Sequence, residues 1–356
     1  MPRKKNIRKP NVVSLYSGAG GLDIGFMQAG FNIALALDFN HDSCETLRTN
    51  FKETPVIEGD ITEVSTNKIL KIAGKKKSEI DLLIGGPPCQ PFSKSAFWNG
   101  SKGFKDPRAI TLHEYVRVLK DIQPKAFLLE NVFGLAYKKN SDAFEFLQDE
   151  FGRLGYKISY KVVNTADYGV PQIRQRLIIL GAKNKTLEFP EPTHVNPSEV
   201  ETVSLFPQKL PIYVSAAQAF NGLRYQWEET PRELVVAGKW GHLLSEIPPG
   251  ENYLHYTEKK GYPEPLFEWR SRYWTFLLKL HPQKPSWTIQ AQPGPYVGPF
   301  HWENRRLTLE ERKRIQTFPD KYVFIGNKTS VQKQIGNAVP ARLAQVLGES
   351  IMQQLF

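Results

Sequence analysis

One of the two cysteines in this 356-residue chain is placed to do chemistry. Cys89 lies in Gly85-Gly86-Pro87-Pro88-Cys89-Gln90-Pro91-Phe92-Ser93, directly after the apolar run at residues 80–84. Such a run suits a central parallel strand, and the two prolines cannot continue a sheet ladder. The thiol is therefore expected at the carboxyl end of a strand, where open α/β sheets build their active sites. A cysteine taken alone is as readily a small inert hydrophobe. The order of strand, Gly-Gly, Pro-Pro, Cys and a long glycine-containing loop is what favours a nucleophile. Cys44, in the helical stretch His41–Asn50, has no such setting and is read as structural.

Other polar residues close apolar runs in the same half of the chain. Glu130-Asn131-Val132 follows the run 127–129, which brings the Glu130 carboxyl toward the Cys89 turn of a parallel sheet. Burial there would raise its pKa and let it hold a proton, although a strand-end glutamate is also a common structural hydrogen-bonder. Gln172-Ile173-Arg174-Gln175-Arg176 alternates as a strand does, so Arg174 and Arg176 are expected on one side, facing an anion or a carbonyl group. Ser17-Gly18-Ala19-Gly20-Gly21-Leu22 joins the first strand to the first helix and lets a ligand approach the helix start. Asp23 stands where a nicotinamide-binding turn carries Gly or Ala, and there is no P-loop lysine, so another nucleotide-like cofactor is indicated. Asp38 and Asp60 follow the second and third strands; they suit ribose hydroxyls and an exocyclic amine, or else cap the helices after them.

These residues need a scaffold that brings strand ends together. Short β-rich runs at residues 12–16, 33–38, 56–58, 80–84, 126–130, 157–163 and 177–180 alternate with helical stretches near 22–29, 110–122 and 143–154. This is the pattern of an α/β, doubly wound, mostly parallel sheet. After Lys183 the texture becomes rich in proline and tryptophan, with no long periodic helix, until helical patterns return at 307–318 and from Pro340 to about 353. The expected division is a basic arm at 1–10, a catalytic and cofactor-binding domain at 11–183 plus 286–356, and an inserted smaller recognition domain at 184–285. Most of the insert's tryptophans are expected in its core.

The formal net charge of +11 points to a polyanionic partner, with Arg3, Lys4, Lys5, Arg8 and Lys9 clustered at the start. No stretch approaches the roughly 18 apolar residues of a membrane span, no secretory signal is evident, and two cysteines at this spacing make neither a disulfide framework nor a zinc site. A cytoplasmic, monomeric protein with no membrane partner and no metal is expected.

The ordered set of blocks resembles the DNA cytosine-5 methyltransferases of bacterial restriction–modification systems. It comprises the S-G-A-G-G turn, Asp38-Phe39, Gly59-Asp60-Ile61, P-P-C-Q-P-F-S, Asp106 with Arg108 and Leu112, E-N-V, Q-x-R-x-R, the R-R-L-T and E-x-x-R-I-Q-T-F-P segments, and Gln334-Ile335-Gly336-Asn337-Ala338-Val339-Pro340, over about residues 12–345. Ser14 departs from the acid the family generally shows there, and Tyr16 from its frequent Phe.

The resemblance implies an S-adenosylmethionine-dependent methyltransferase fold with an inserted target-recognition domain, releasing S-adenosylhomocysteine. It casts Cys89 as the nucleophile that adds to C6 of a flipped-out cytosine, Glu130 as the partner of N3, Arg176 near O2, and Arg174 as a positioning group. Tyr16, Gly18, Gly20, Leu22, Asp38, Phe39, Asp60, Ile61, Pro87, Asn337 and Val339 would line the cofactor pocket. Gln90, Ser93, Arg108, Gln172, Arg224, Arg232, Lys239, Arg270 and Arg272 would meet double-stranded DNA, and the 90–108 loop would close over the extruded base. A partner restriction endonuclease is implied. An RNA cytosine-5 methyltransferase of the same family and a catalytically silent DNA-binding relative are the alternative readings.

Overall fold

The computed structural model describes residues 8–88, 110–136, 141–198 and 210–356. The first half of the chain builds β1 (Asn11–Leu15), α1 (Gly21–Gln28), β2 (Asn32–Asp38), α2 (His41–Asn50), β3 (Val56–Glu58), α3 (Thr66–Ala73), β4 (Leu82–Gly85), α4 (Ile110–Ile122), β5 (Ala126–Val132), α5 (Ser141–Arg153), β6 (Lys157–Asn164), β7 (Gln172–Ile173) and β8 (Gln175–Ala182). The second half adds α6 (Ala216–Ala219), β9 (Ser286–Trp287), α7 (Leu309–Ile315), α8 (Lys328–Asn337) and α9 (Ala341–Leu355).

Seven strands form one sheet in the order β3-β2-β1-β4-β5-β8-β6. Strands β1 to β5 pair in parallel, whereas β8 runs antiparallel to both of its neighbours. The reversal has a simple cause. Residues 165–174 return from β6 without the crossover helix that a parallel partner requires.

Strands covered on both faces read as apolar runs. Val12, Ile84 and Leu128 pack with Leu22 and Phe26 of α1 and Leu343 and Leu347 of α9. Val13, Leu83 and Leu129 pack on the other face with Ile69 of α3, Leu119 of α4 and Phe151 of α5. Glycines let α1 and the chain around α9 touch: a Cβ at Gly21 would lie 2.2 Å from the Val339 carbonyl oxygen, and one at Gly25 2.5 Å from that of Ala341. The far end of the chain is thereby brought against the glycine turn.

The insert is built differently. Its aromatic core joins Tyr253, Tyr256 and Phe267 to Phe300, with Tyr296 packed against it, so residues beyond 285 complete it. Buried Lys279 braces it by donating to the carbonyls of Leu244 (3.2 Å) and Ile247 (2.6 Å) and to Asn304 Oδ1 (2.6 Å). The tryptophans do not fill this core as expected. Trp227 and Trp269 are 37 % exposed and Trp274 is 50 % exposed, while Trp240 alone of the four packs against the cluster. Tyrosines take the interior because their hydroxyls reach backbone carbonyls, as Tyr253 does at Arg272 (2.8 Å). At the junction, Thr308 and Glu311 form a capping box on α7, and buried Arg305 grips both Glu311 carboxylate oxygens at 2.9 and 2.7 Å.

Candidate active site

Strand β4 ends at Gly85, beside Leu129 of β5, so the chain entering the Pro87-Pro88 turn runs past Glu130. The approach is close enough that a Cβ on Gly86 would meet Glu130 Oε2 at 3.0 Å. Asn131, one residue on, donates to the Pro87 carbonyl at 3.1 Å, and the Thr111 hydroxyl donates to the Pro88 carbonyl at 3.4 Å. Both residues immediately before Cys89 are thus fixed from neighbouring elements. Cys89 itself, with Gln90, Ser93, Arg108 and the 90–108 loop, lies outside the described residues.

Glu130 is buried at the carboxyl end of β5, and its Oε1 pairs with Arg176 Nε at 2.8 Å. Burial raises its pKa, and the nearby Arg176 and Arg174 cations oppose that rise without cancelling it. The carboxyl therefore holds its proton to higher pH than an exposed glutamate does. Arg176 also donates to the Gln175 carbonyl at 2.7 Å.

Arg176 lies in β8 and Arg174 in the one-residue break between β7 and β8, and both cations act on Glu130. The fully buried guanidinium of Arg174 reaches the Gly336 carbonyl at 2.9 Å and the Ile289 carbonyl at 3.4 Å. That links the strand next to Glu130 to α8 and to the segment following β9. Gln172, expected at the DNA, is turned inward instead. It is fully buried, donating to Gln316 Oε1 at 2.9 Å and accepting the Ile289 N–H at 2.9 Å, so its amide is spent inside the protein and does not face a partner.

The glycine turn and the strand ends form a second cluster in the same crevice. Gly18 has φ +53°, and a Cβ there would find nothing within 4 Å, so the turn leaves open space above it. Asp38 accepts the Gly18 N–H at 2.8 Å on one oxygen and the Asn40 N–H at 2.9 Å on the other, which locks the two loops together. A carboxylate oxygen holding one N–H still has a lone pair for a ligand. Phe39 beside it is 63 % exposed, a ring face open to solvent at the crevice mouth. Asp60 is exposed and caps the helical turn after it, accepting the Thr62 N–H at 2.9 Å; Arg117 of α4 pins that turn through the Ile61 carbonyl at 3.1 Å. Leu22 and Val339 are buried and Asn337 is exposed, all near the turn through the α1–Val339 contact.

A buried acid on α1 lies near position 14. Asp23 is fully buried next to the Ser14 and Ser17 hydroxyls, and burial pushes its pKa up to about 7, with those hydroxyls opposing the rise. The sequence offered Asp23 as the residue that spoils a nicotinamide turn; its burial without a hydrogen-bond partner on either carboxylate oxygen is what the sequence did not show. Cys44 is buried, its thiol 3.3 Å from the Asp38 carbonyl oxygen, and burial pushes its pKa up to about 12, which fits a structural thiol.

In the insert, Arg224, Arg232, Lys239, Arg270 and Arg272 are all exposed. Arg270 lies over the Trp269 ring and Arg272 over the Phe276 ring, and exposed aromatic residues follow them in the chain. Tyr273 is 77 % exposed, and Trp274 meets Trp287 edge-on at 6.0 Å between ring centroids. Trp287 belongs to β9, where it pairs with Ile173 of β7, next in sequence to Arg174. A separate cleft of about 970 Å³ between the insert and α8 includes none of the residues around Glu130 or the glycine turn. His41, Glu45 and Glu58 form an exposed cluster of cation-ligating type, but Arg48 already binds both carboxylates. No helix among the described residues is long and apolar enough to cross a membrane.

The strand order, the reversed β8 and a glycine turn facing two strand-end acids define an α/β fold of the S-adenosylmethionine-dependent methyltransferase type. Solved structures agree on the fold: a protein described as a DNA modification methyltransferase encoded within an E. coli prophage superposes with TM-score 0.70 at 23 % identity, covering 98 % of this chain and 99 % of that one. The Dnmt2 methyltransferase of S. pombe gives 0.65 at 16 % identity, covering 98 % and 99 %. The profile of the C-5 cytosine-specific DNA methylases matches residues 10–353, and the chain belongs to that family. It is 44 % identical to the type II methyltransferase M.SacI of Streptomyces achromogenes over 97 % of this chain and 93 % of the relative. It is 35 % identical to M1.HphI of Haemophilus parahaemolyticus over 96 % and 86 %. The protein is a DNA cytosine-5 methyltransferase of the type II restriction–modification kind.

Proposed function

We propose that the enzyme methylates C5 of a cytosine flipped out of a specific duplex sequence, through a transient bond between Cys89 and C6, and that this protects DNA from a cognate endonuclease. The observation that carries the reading is the buried Glu130–Arg176 pair lying against the Gly86-Pro87-Pro88 approach to Cys89.

Carbon C5 of cytosine is too poor a nucleophile to react while the ring is aromatic. As the Cys89 thiolate forms a bond to C6, the ring's electrons move toward N3, where Glu130 donates its proton and neutralises the developing charge. Burial raises the Glu130 pKa above that of an exposed glutamate, which favours a role as proton donor. Arg176 orients the carboxyl and offers further N–H groups to the O2 side of the base, while Arg174 holds the strand that carries them. Once C5 has taken up the methyl group, loss of the C5 proton expels Cys89 as thiolate, N3 returns its proton to Glu130, and the ring is restored. Attack from above the ring plane requires the base to leave the stack.

The cofactor fits the second cluster: open space over Gly18, acids at Asp38 and Asp60, the exposed Phe39 ring and Tyr16, with Asn337 and Val339 arriving from α8 and beyond. S-adenosylmethionine bound there supplies an electrophilic methyl group. The exposed arginines of the insert and the Tyr273–Trp274–Trp287 ridge suit phosphates and base faces respectively.

Expression in a methylation-free host followed by bisulfite sequencing of the plasmid tests this: the reading expects protected cytosines within one short recurring sequence. Cys89→Ser should abolish that protection while leaving S-adenosylhomocysteine binding within about two-fold, because the role proposed for the thiol is toward the base and not toward the cofactor. Methylation persisting in Cys89→Ser contradicts the role of the thiol.

A further inference from the structure

We propose that the Tyr16 hydroxyl is a positioning group that braces the seat of the nucleophile by way of Thr111 and Pro88. This rests on the reading above, in which the cofactor meets Tyr16 and Cys89 attacks the base.

Tyr16 leaves β1 with φ 56°, a left-handed conformation that a bulky side chain keeps only when its surroundings hold it. The hydroxyl supplies one such hold, donating to the Thr111 carbonyl oxygen at 2.6 Å in the first turn of α4. Thr111 in turn directs its own hydroxyl to the Pro88 carbonyl at 3.4 Å. Asn131, next to Glu130, takes the preceding carbonyl of Pro87 at 3.1 Å. The two carbonyls before Cys89 are therefore held from two directions. One comes from the strand that carries the acid, the other from a helix start that is tied to the ring beside the glycine turn.

A phenylalanine at position 16 would fill the same space and present the same ring face to a cofactor, but it has no group to offer Thr111. The hydroxyl is thus separable from the pocket. Burial pushes its pKa well above the ordinary phenol value, so it remains a donor throughout the working pH range. If its role were merely to satisfy a buried polar atom, removing it together with its need for a partner would leave catalysis unchanged.

The test is Tyr16→Phe, with Thr111→Val as the second link. Expected for Tyr16→Phe are S-adenosylhomocysteine affinity without DNA within about two-fold of wild type and kcat lowered about five- to ten-fold, the scale of one well-placed hydrogen bond. Thr111→Val should lower kcat by a similar factor, and the double variant should be no worse than the poorer single one, as members of one line behave. An unchanged kcat in Tyr16→Phe, a loss confined to cofactor affinity, or fully additive losses would each overturn the proposal. Trapping of wild-type Cys89 by 5-fluorocytosine DNA is run beside it. Failure of that trap condemns the covalent reading, whereas a successful trap with an unaffected Tyr16→Phe condemns this inference alone.

Discussion

Replacing Glu130 by Gln separates catalysis from stability, because the two effects have different origins in the same carboxyl. The side chain keeps its shape, and its oxygen still accepts from Arg176 Nε, now 2.8 Å from a carboxylate. A neutral acceptor in place of a charged one loses about 1 kcal/mol. Against this stands the burial that raises the Glu130 pKa. An acid whose pKa is higher in the folded than in the unfolded state is destabilising when ionised, a penalty fully present above the folded value and absent below the unfolded one. Gln carries no such penalty at any pH. The terms oppose each other, so the melting temperature at neutral pH should move by no more than about 5 °C. Chemistry should suffer far more, because the amide cannot give a proton to N3. A loss of about 10²- to 10⁴-fold in single-turnover methyl transfer is expected, about 3 to 5 kcal/mol in the barrier. Rapid-quench transfer of labelled methyl groups and calorimetry at pH 6 and pH 8 read both quantities. A rate within about five-fold of wild type, or a collapse of the melting temperature, would refute the assignment of Glu130 as the acid.

Asp23, whose pKa rises to about 7, should make wild type lose stability relative to Asp23→Asn as pH climbs from about 4 to 7, by about 1.4 kcal/mol per unit, and then level off; a flat difference in unfolding free energy across that window contradicts the burial argument. Trp274→Ala should weaken binding of the cognate duplex by about 1 to 3 kcal/mol in fluorescence anisotropy, the worth of one base-stacking contact, with folding intact because the ring is 50 % exposed. Unchanged affinity would remove the aromatic ridge from the DNA interface. Glu311→Ala should cost about 3 to 5 kcal/mol in urea unfolding, since it leaves the buried Arg305 guanidinium without its bidentate partner; a loss below about 1 kcal/mol would show that Arg305 finds other acceptors.

The elements that position the site were largely legible because each has a local cause. Apolar runs gave β4 and β5, glycines marked the turn onto α1, and Pro-Pro ended β4 where Glu130 waits. Sequence reasoning failed where long-range hydrogen bonding decides. Alternation paired Arg174 with Arg176 but could not show that Arg174 reaches carbonyls on two distant segments. Gln172 looks like a surface amide until Gln316 and the Ile289 N–H close around it. The insert's tryptophans resemble core residues by type, yet tyrosines with carbonyl partners occupy that core. The bracing contacts of Asn131, Thr111 and Arg117 carried no signal at all, since they depend on carbonyls that only the assembled sheet brings near.

The most direct measurement is a covalent trap. A duplex carrying 5-fluorocytosine at the methylated position, incubated with the enzyme and S-adenosylmethionine, leaves no C5 proton to lose after methylation, so Cys89 cannot depart. The account predicts a denaturation-resistant protein–DNA adduct whose peptide mapping places the base on Cys89, and none with Cys89→Ser. Turnover of the fluorinated duplex without an adduct, or an adduct mapped to Cys44, would contradict it.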